Sequence, residues 1–237
     1  MPLNIAKGDM YAWVSHTWNT VKGKCPHDCV YCYMKRFGEQ KPVRFDEIEL
    51  QTNLGEGNFI FVGSSCDMWA EAISKEWIET GLLMCKLKPK NRYLFQSKNP
   101  ERFMDFLDFV NPSNTIFCTT IESDMDHPEA YPIRQGRLAD NIFVGPPPID
   151  ARVNWICKVK SAGFPVTVTI EPIMDFDENR LLEMINDIGP QWVSIGADSQ
   201  GHGLPEPTPE KVWVLLSELG RNKKIELVVK PNLGRLL

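Results

Sequence analysis

Residues 25–32 read Cys25-Pro-His-Asp-Cys29-Val-Tyr-Cys32, so three cysteines are spaced as CxxxCxxC. The segment follows a run with strand character at 10–17 (MYAWVSHT), and a helix is predicted to begin near Cys32. Three thiolates at this spacing can converge on one face of the loop that joins the two elements. Three ligands leave one iron of a four-iron cluster without a protein ligand, and that iron can bind a small molecule. The motif therefore predicts an iron–sulfur or metal site in the first strand-to-helix loop.

Outward from this loop, the chain alternates short apolar strands with amphipathic helices. Strands are predicted at 58–62, 91–96, 114–121, 165–170, 191–196 and 225–229. Most of them are near-continuous apolar runs, as strands buried on both faces are. Helix starts are indicated by capping residues and helix ends by glycines. The capping residues are Ser74, Asn99, Asp177 and Thr208, the glycines are Gly163, Gly189 and Gly220, and a further helix is predicted at about 148–162.

Repeated strand–helix units form a parallel sheet with helices outside it. Six or seven units in 237 residues are too few for a standard eight-unit barrel, which takes ~250 residues. We therefore expect an α/β fold, an open (β/α)6-like parallel barrel, in a single domain over 1–237. Residues 36–57 are less regular, with VRF and IEL as candidate extra strands, and the connection at 122–147 is long enough to be functional.

The composition indicates a globular protein, with 43% hydrophobic and 24% charged residues. The net charge of −5 argues against coating of nucleic acid through bulk electrostatics. No apolar run reaches the ~20 residues that span a bilayer, and the start of the chain lacks the pattern of a signal peptide. We expect a cytoplasmic protein with no membrane partner. Basic residues nevertheless surround the cysteine motif. They form either a rim that binds an anionic ligand or a solvated loop with no such role. The residues are Lys22, Lys24, Lys35, Arg36, Lys41 and Arg44.

The other four of the seven cysteines are scattered singly through the chain. Cys66, Cys85, Cys118 and Cys157 lie in or beside apolar stretches, where a free cysteine is usually a small buried residue. A structural zinc site with His16 or His27 as fourth ligand is the alternative interpretation of the trio. Zinc sites usually pair two ligands with two more further along the chain, and no second CxxC or HxxxH is present.

Five predicted strands end in polar residues. These are Gly63 to Asp67, Ser97 with Lys98, Glu122 to Asp124, Glu171, and Gly196 to Ser199. In parallel αβ barrels, catalytic groups lie at the carboxyl ends of the strands. One polar residue in such a place is often a helix cap, but the same pattern at five successive strands indicates a polar site on one face.

The cysteine spacing resembles the defining motif of the radical S-adenosylmethionine (SAM) superfamily, which also places an aromatic residue, here Tyr31, before the third cysteine. The resemblance implies a [4Fe–4S] cluster on Cys25, Cys29 and Cys32, with SAM chelated at the free iron. It also implies an external one-electron reductant of the flavodoxin or ferredoxin type. One electron from the reduced cluster would cleave SAM and release a 5′-deoxyadenosyl radical.

The superfamily arrangement implies further cofactor-binding residues. Gly63, Ser64 and Ser65 match the loop that binds the methionine amino group, where the usual pattern is Gly-Gly-Glu. Glu122 matches the region that contacts the ribose or methionine, and Gly196 matches the backbone beside the adenine. Glu171 completes the expected cofactor-binding set.

A closer resemblance extends over nearly the whole chain. Its features are Trp18-Asn19, the segment Lys98 to Arg102, and an Ile-Glu-Pro at Glu171. They are similar to those of a phage-associated radical SAM family that is grouped with spore photoproduct lyase–like proteins. This resemblance suggests nucleic acid as the substrate or partner. It makes Cys66 a candidate catalytic hydrogen donor, with a buried structural residue as the alternative.

Among the tryptophans and histidines, Trp18, Trp69 and His202 each have two interpretations. Trp18 and Trp69 are predicted to lie in loops near the site. Each is either a core residue or a ring on which a nucleobase or adenine stacks. Trp77, Trp155 and Trp213 fall on predicted helices and are expected in the core. His202 lies between two glycines near the open face, and it is either a proton donor or a residue of a turn.

Three hypotheses for the function follow. The first is a radical SAM enzyme acting on a nucleobase, nucleotide or DNA lesion, and the second is one acting on a peptide or small metabolite. Specificity would come from residues 33–57, the 122–147 connection and the C-terminal VVKPNLGRLL, where Lys230 and Asn232 close the barrel. The third is a non-catalytic binding module stabilised by zinc.

Overall fold

The computed structural model describes residues 1–8, 10–131 and 145–237. The strands of this part are β1 (Asn4–Ile5), β2 (His16–Trp18), β3 (Val21–Lys22), β4 (Arg44–Phe45), β5 (Phe59–Val62), β6 (Arg92–Ser97), β7 (Thr115–Thr120), β8 (Val166–Ile170), β9 (Trp192–Ile195) and β10 (Glu226–Val229). The α-helices are α1 (Lys75–Lys86), α2 (Ile149–Ser161), α3 (Glu178–Ile188) and α4 (Pro209–Arg221).

The strands form a mostly parallel sheet, as the strand–helix alternation predicts. Its order is β1-β2-β5-β6-β7-β8-β9-β10, while β3 and β4 form a separate two-stranded ribbon. Within this eight-stranded sheet every neighbouring pair is parallel except β1 with β2, which is antiparallel, as is the separate pair of β3 and β4. Among the described residues β1 and β10 stand at opposite edges and do not pair, so the sheet is not closed. The α/β fold class is confirmed, with a mostly parallel sheet that does not close into a barrel within the described residues.

Three of the four predicted capping residues cap an α-helix. The side chains of Ser74, Asp177 and Thr208 each accept a hydrogen bond from the backbone N–H three residues on. Asn99 makes no such cap, and the segment after it, Pro100–Phe109, is a 3₁₀-helix. Gly189 ends α3 in the left-handed conformation with φ of 51°.

Several local predictions are wrong. The helix expected near Cys32 is a short 3₁₀-helix, Tyr33–Phe37. VRF does contribute β4, but IEL lies in another 3₁₀-helix, Glu47–Gln51. Gly220 does not stop a helix, since α4 continues to Arg221. Short segments of this kind lack the periodic apolar pattern that separates helix from strand.

The two faces of the sheet bury different partners. The outer face packs its aliphatic and aromatic side chains against the helices, for example Ile60, Phe95 and Val168. The inner face packs against the N-terminal segment, where Tyr11 and Val14 cover Phe61 and its neighbours on β6 and β7. The N-terminal segment therefore fills the inner face and forms a floor below the carboxyl ends of the strands.

The tryptophans agree only in part with the sequence predictions. Trp18 ends β2 and Trp69 lies before α1, and both are 0% exposed. Trp69 meets four phenylalanine rings edge-on, at centroid distances of 4.9–6.2 Å. Both are core residues, so the stacking role is wrong for each. Trp77 packs against the core, Trp155 is half-buried, and Trp213 is exposed.

No helix in the described ranges is both long and apolar enough to cross a membrane.

Replacement of Trp69 tests the core. We expect Trp69→Ala to lower the free energy of unfolding by about 3–5 kcal/mol, because it removes a ring enclosed by four others. Trp213→Ala, on the exposed face of α4, should change it by less than about 0.5 kcal/mol. Guanidinium denaturation of both variants measures the two values. Similar losses for both would contradict the packing described above.

Candidate active site

A cavity of about 760 Å³ opens at the carboxyl ends of the parallel strands. Its lining includes the cysteine loop after β2, the loop after β5, and residues at the ends of β6 to β10. Tyr11 and Phe61 form its floor, and Tyr11 donates a hydrogen bond to Gln96 (2.9 Å). The polar residues at four of the five predicted strand ends therefore line one face, the exception being Glu122 to Asp124. The face is concave, as ligand sites usually are.

The three cysteines of the motif all line this cavity, and none forms a disulfide. Backbone hydrogen bonds within the loop, Asp28 N to Cys25 O and Cys32 N to Cys29 O, fold it into two turns. A further bond from Val30 N to Ala130 O (2.8 Å) attaches the loop to the segment after β7. Burial raises the pKa of Cys29 to about 12 and also raises that of Cys32.

The described residues contain no three His, Cys, Asp or Glu side chains close enough to ligate one metal ion. In a cubane [4Fe–4S] cluster each cysteine thiolate binds a different iron atom. The three sulfur atoms therefore need not lie as close together as the ligands of a single metal ion do. The donor set of three free thiols on one cavity wall fits such a cluster. For the zinc alternative, His16 lies outside the cavity lining, and His27 is bound to Asp67.

The loop after β5 presents backbone and hydroxyl groups to the cavity. Gly63 has φ of 83°, and a Cβ there would lie 3.2 Å from the side chain of Met68, so glycine is required. Asn19 holds the loop: its Oδ1 accepts from Ser64 Oγ (3.2 Å) and Ser65 N (2.9 Å). Gly63, Ser64 and Ser65 thus line the same cavity as the cysteines.

Cys66 has properties of both of its interpretations. It is 2% exposed and packs in the main core, yet it lines the cavity. Its thiol contacts Cys25, and this hydrogen bond, together with burial, raises the pKa of Cys25. Cys118 is buried on the inner face of the sheet, as predicted. Cys85 is buried as well, and Cys157 is half-buried.

Glu122 is not among the residues that line the cavity. The sequence prediction is a direct contact with a bound ligand, and such a contact would require a position in the lining. Glu122 is 0% exposed and is bound by Arg152 (2.8 Å) and Lys98 (3.0 Å), and it accepts a hydrogen bond from the hydroxyl of Tyr31. Burial alone would raise the pKa of Glu122, but the two cations lower it to about 2. Glu122 is therefore an ionised anchor below the cysteine loop.

Arg152 is a site residue that the sequence does not reveal, whereas Lys98 is one of the predicted polar strand ends. Arg152 reaches from α2 through the helix layer, is 0% exposed, and also donates to Thr120 O (3.1 Å) and Pro147 O (2.7 Å). Lys98 lines the cavity and lies 5.2 Å from the ring centre of Tyr31. An arginine on the inner side of an amphipathic helix is the only sequence signal of this network, since α2 otherwise buries apolar residues there.

The far side of the cavity holds a second ion pair. Lys230 lies 2.8 Å from Glu171, and Ser194 donates to Glu171 at 2.7 Å. A Cβ on Gly196 would meet Asn232 Oδ1 at 3.1 Å and Glu171 Cγ at 3.2 Å. Gly196 is thus covered by these side chains and is not part of the cavity lining, whereas Glu171, Lys230 and Asn232 are.

Two histidine–aspartate pairs flank the cavity. His27 lies 2.8 Å from Asp67, and the buried pair has a lowered aspartate pKa and a raised histidine pKa because each charge favours the other despite burial. His202 Nδ1 lies 2.8 Å from Asp198, so the histidine of the Gly-His-Gly turn has a carboxylate partner.

The basic rim is partly neutralised. Lys22 pairs with Asp46 and Glu49, and both Lys24 and Lys35 pair with Asp28. Arg36 instead lies over the exposed ring of Phe37, at 4.8 Å from its centre. Half of the 122–147 connection, residues 132–144, lies outside the described residues.

Removal of the Glu122 charge tests the anchor. Its pKa is about 2 in the fold against an ordinary 4.5, so its stabilisation is complete above about pH 4.5 and is lost as pH falls toward 2. We expect Glu122→Gln to lower the free energy of unfolding at pH 7 by about 3–5 kcal/mol, because two buried cations lose their partner. Urea denaturation of the parent and the variant from pH 7 to pH 3 measures the free energy of unfolding.

Glu56→Gln is the control, because Glu56 forms an exposed ion pair with Lys90. It should lower the free energy of unfolding by less than about 1 kcal/mol. Equal losses for the two variants would contradict the role of Glu122 as a buried anchor.

The sequence matches no family model and no curated protein. Solved structures do match the fold. A cysteine-to-alanine mutant of spore photoproduct lyase with dinucleoside spore photoproduct has a TM-score of 0.56 at 14% identity, over 91% of this chain. Spore photoproduct lyase complexed with dinucleoside spore photoproduct has a TM-score of 0.56 at 13% identity, over 92% of this chain. A double mutant with bound AdoMet and the same dinucleoside has a TM-score of 0.52 at 13% identity, over 91%.

These matches cover 64–65% of the spore photoproduct lyase chains, so this chain spans less than two thirds of their length. Identities of 13–14% establish similarity of fold alone. The protein has a fold similar to that of spore photoproduct lyase, with its cysteine motif at the carboxyl end of the shared sheet.

Proposed function

We propose that this protein is a radical SAM enzyme. The observation that carries the proposal is the placement of the CxxxCxxC cysteines: three free thiols line one large cavity at the carboxyl ends of the parallel strands. The similarity of fold to spore photoproduct lyase, including a structure with bound AdoMet, supports it. The proposal includes a single domain with the partial-barrel form, a cytoplasmic location, and kinship with the phage-associated, spore photoproduct lyase–like family.

In this proposal Cys25, Cys29 and Cys32 hold a [4Fe–4S] cluster. When bound and reduced by a flavodoxin- or ferredoxin-type donor, the cluster supplies one electron for cleavage of the C5′–S bond of SAM. Tyr31, in the same loop, donates its hydroxyl to Glu122, which Lys98 and Arg152 fix in place. The network of one carboxylate and two cations carries a net positive charge beside the cysteines. That charge favours thiolate ligands and an anionic cluster over neutral thiols.

The walls of the cavity offer complementary groups for SAM. The loop of Gly63, Ser64 and Ser65 presents backbone and hydroxyl groups to the methionine amino group, as the superfamily arrangement implies. Lys98, which lines the cavity, supplies a cation for the carboxylate. Glu171 lines the cavity as a proposed cofactor-binding residue, and Gly196, where the adenine is expected, lies covered behind Glu171 and Asn232. Glu122 acts indirectly, as a positioning residue for Tyr31 and Lys98.

The substrate proposed is a nucleobase, nucleotide or DNA lesion. The bound dinucleoside of the spore photoproduct lyase structures supports this class. The cavity rim offers an arginine stacked on an exposed aromatic ring, Arg36 over Phe37, beside Lys24 and Lys35. Cys66, on the cavity wall, is the proposed hydrogen donor. A peptide or small metabolite is the alternative substrate, and it predicts no salt-sensitive binding to DNA or RNA.

The proposal is tested by SAM cleavage. The protein is purified without air, reconstituted with iron and sulfide, reduced and given SAM, and 5′-deoxyadenosine is measured by liquid chromatography. We expect the product from the parent protein and a loss of at least about 100-fold in the variant with alanine at Cys25, Cys29 and Cys32. Cys157→Ser, which changes a cysteine outside the cavity, is the matched control and should retain full activity.

Equal activity of the parent and the triple variant would contradict the assignment of the ligands. Zinc bound without iron or sulfide in the anaerobic protein would contradict the enzyme and favour the zinc-stabilised module instead.

A further inference from the structure

Asn19 belongs to the Trp18-Asn19 pair that stands out in the sequence, and the function proposed so far gives it no role. It directly follows β2, is 9% exposed, and is not among the residues that line the cavity. Trp18 and Val62, the last residues of β2 and β5, are register partners in the parallel sheet. Asn19 therefore lies beside the loop after β5, one layer behind the cavity wall.

The side-chain amide of Asn19 has only one possible orientation. The backbone N–H of Ser65 can only donate, and the amide atom that it meets at 2.9 Å is therefore the oxygen Oδ1. The hydroxyl oxygen of Ser64 lies 3.2 Å from the same Oδ1. Because Oδ1 can only accept, the Ser64 hydroxyl gives its single hydrogen to Asn19. Toward any other neighbour, the Ser64 hydroxyl then acts only as an acceptor.

Two other polar groups of this loop are also engaged within the protein. Gly63 N donates to Trp18 O (2.9 Å), and Ser64 O accepts from the hydroxyl of Tyr33 (2.9 Å). Ser64 is half-buried and lines the cavity, so its side chain offers the lone pairs of the hydroxyl to a ligand there. A hydroxyl fixed in this way accepts from an N–H or O–H group of the ligand and cannot donate to a carboxylate or phosphate.

Lys98 lines the same cavity and supplies the opposite kind of group. Its ammonium has three donors and no acceptor, so it suits a carboxylate of the ligand. An acceptor and a cation in one cavity suit the head group of an α-amino acid, because its ammonium only donates and its carboxylate only accepts. The chemistry of the wall therefore agrees with the methionine end of SAM.

We propose that Asn19 is a positioning residue for SAM: it holds the hydrogen of the Ser64 hydroxyl and the N–H of Ser65, and so presents the Ser64 oxygen as an acceptor for the ammonium group of the methionine moiety. This role rests on the proposed function, because it requires SAM to be the ligand of the cavity. Asn19 acts only through its two serine partners. Its replacement therefore changes the affinity for SAM without removing a ligand of the cluster.

Two replacements at position 19 test the acceptor. Asn19→Ala removes it and leaves the Ser64 hydroxyl free to rotate. We expect this variant to raise the Kd for SAM about tenfold, which is the effect of one hydrogen bond to a charged group. Asn19→Asp keeps an oxygen for both serine donors, and its Kd should stay within about threefold of the parent value.

A double variant tests whether Asn19 acts through Ser64. Ser64→Ala removes the hydroxyl itself and should also raise the Kd for SAM about tenfold. The variant with both Asn19→Ala and Ser64→Ala should raise it about 10- to 20-fold, whereas independent effects would multiply to about 100-fold.

The measurement is equilibrium dialysis of SAM against the anaerobic protein with its cluster reconstituted. 5′-Methylthioadenosine, which has the adenosine and the sulfur of SAM but no ammonium or carboxylate, is measured in the same way. Its Kd should be the same for the parent and for Asn19→Ala, because only the contact with the ammonium changes.

Asn111→Ala is the matched control. Asn111 also accepts a hydrogen bond from a backbone N–H, that of Ser113, but it is exposed and lies outside the lining of this cavity. The Kd values for both ligands should be unchanged in this variant.

The outcomes separate a failure of the proposed function from a failure of this role. A parent protein that assembles its cluster and does not bind SAM overturns the proposed function, and the role of Asn19 with it. A parent protein that binds SAM, with an unchanged Kd in Asn19→Ala, overturns the role of Asn19 alone. Equal losses for SAM and 5′-methylthioadenosine would also overturn it, since they would show a general disruption of the cavity wall.

Two further results are decisive where a first measurement fails. If Asn19→Ala holds too little iron to be measured, Ser64→Ala decides, and an unchanged Kd for SAM counts against the role. If 5′-methylthioadenosine binds the parent too weakly to measure, the double variant decides, and a loss of about 100-fold counts against the role.

Discussion

The buried carboxylate of Glu122 is the interaction on which the arrangement of the site depends. It joins the cysteine loop through Tyr31, the end of β6 through Lys98, and the helix layer through Arg152. Arg152 is fully buried with Glu122, while Lys98 and Tyr31 are partly exposed to the cavity. Removal of Glu122 would therefore leave a buried cation without its partner. The position of the cysteine loop over the sheet is thus tied to a helix that lies on the opposite side of the sheet from the cavity.

The inner face of the sheet changes from apolar to polar toward the carboxyl end. On β6 the inward residues run from Leu94 to Gln96, and on β7 from Ile116 to Thr120. The apolar end is covered by the N-terminal segment, and the polar end is left open as the cavity. The same strands therefore provide a packed floor and an open polar face, and the carboxyl end is where parallel αβ folds usually place their sites.

The fold was predictable from sequence because most of its strands are near-continuous apolar runs and its main helices carry clear caps. Ser74, Asp177 and Thr208 mark true helix starts, and the parallel order follows from the alternation. The 3₁₀ segments were missed because a few residues carry no periodic signal. Trp213 was misplaced because an aromatic residue on an amphipathic helix was assumed to face the core, and it is 55% exposed.

The site was predictable as a location but not as a set of contacts. Four of the five polar strand ends line one cavity with the cysteines, as their shared position at the carboxyl ends predicts. The sequence carried no sign that Glu122 would be withdrawn from the cavity, since that depends on Arg152, thirty positions away and on a helix. The His27–Asp67 pair was equally hidden, because its partners come from separate loops.

The central claim is that three cysteines hold a four-iron cluster with one iron open to SAM. Mössbauer spectroscopy of protein reconstituted with ⁵⁷Fe, recorded with and without SAM, tests it most directly. The account predicts a cubane spectrum in which one iron site of the four changes on addition of SAM while the other three do not. A spectrum without a four-iron cluster, or one in which no site responds to SAM, would contradict the account.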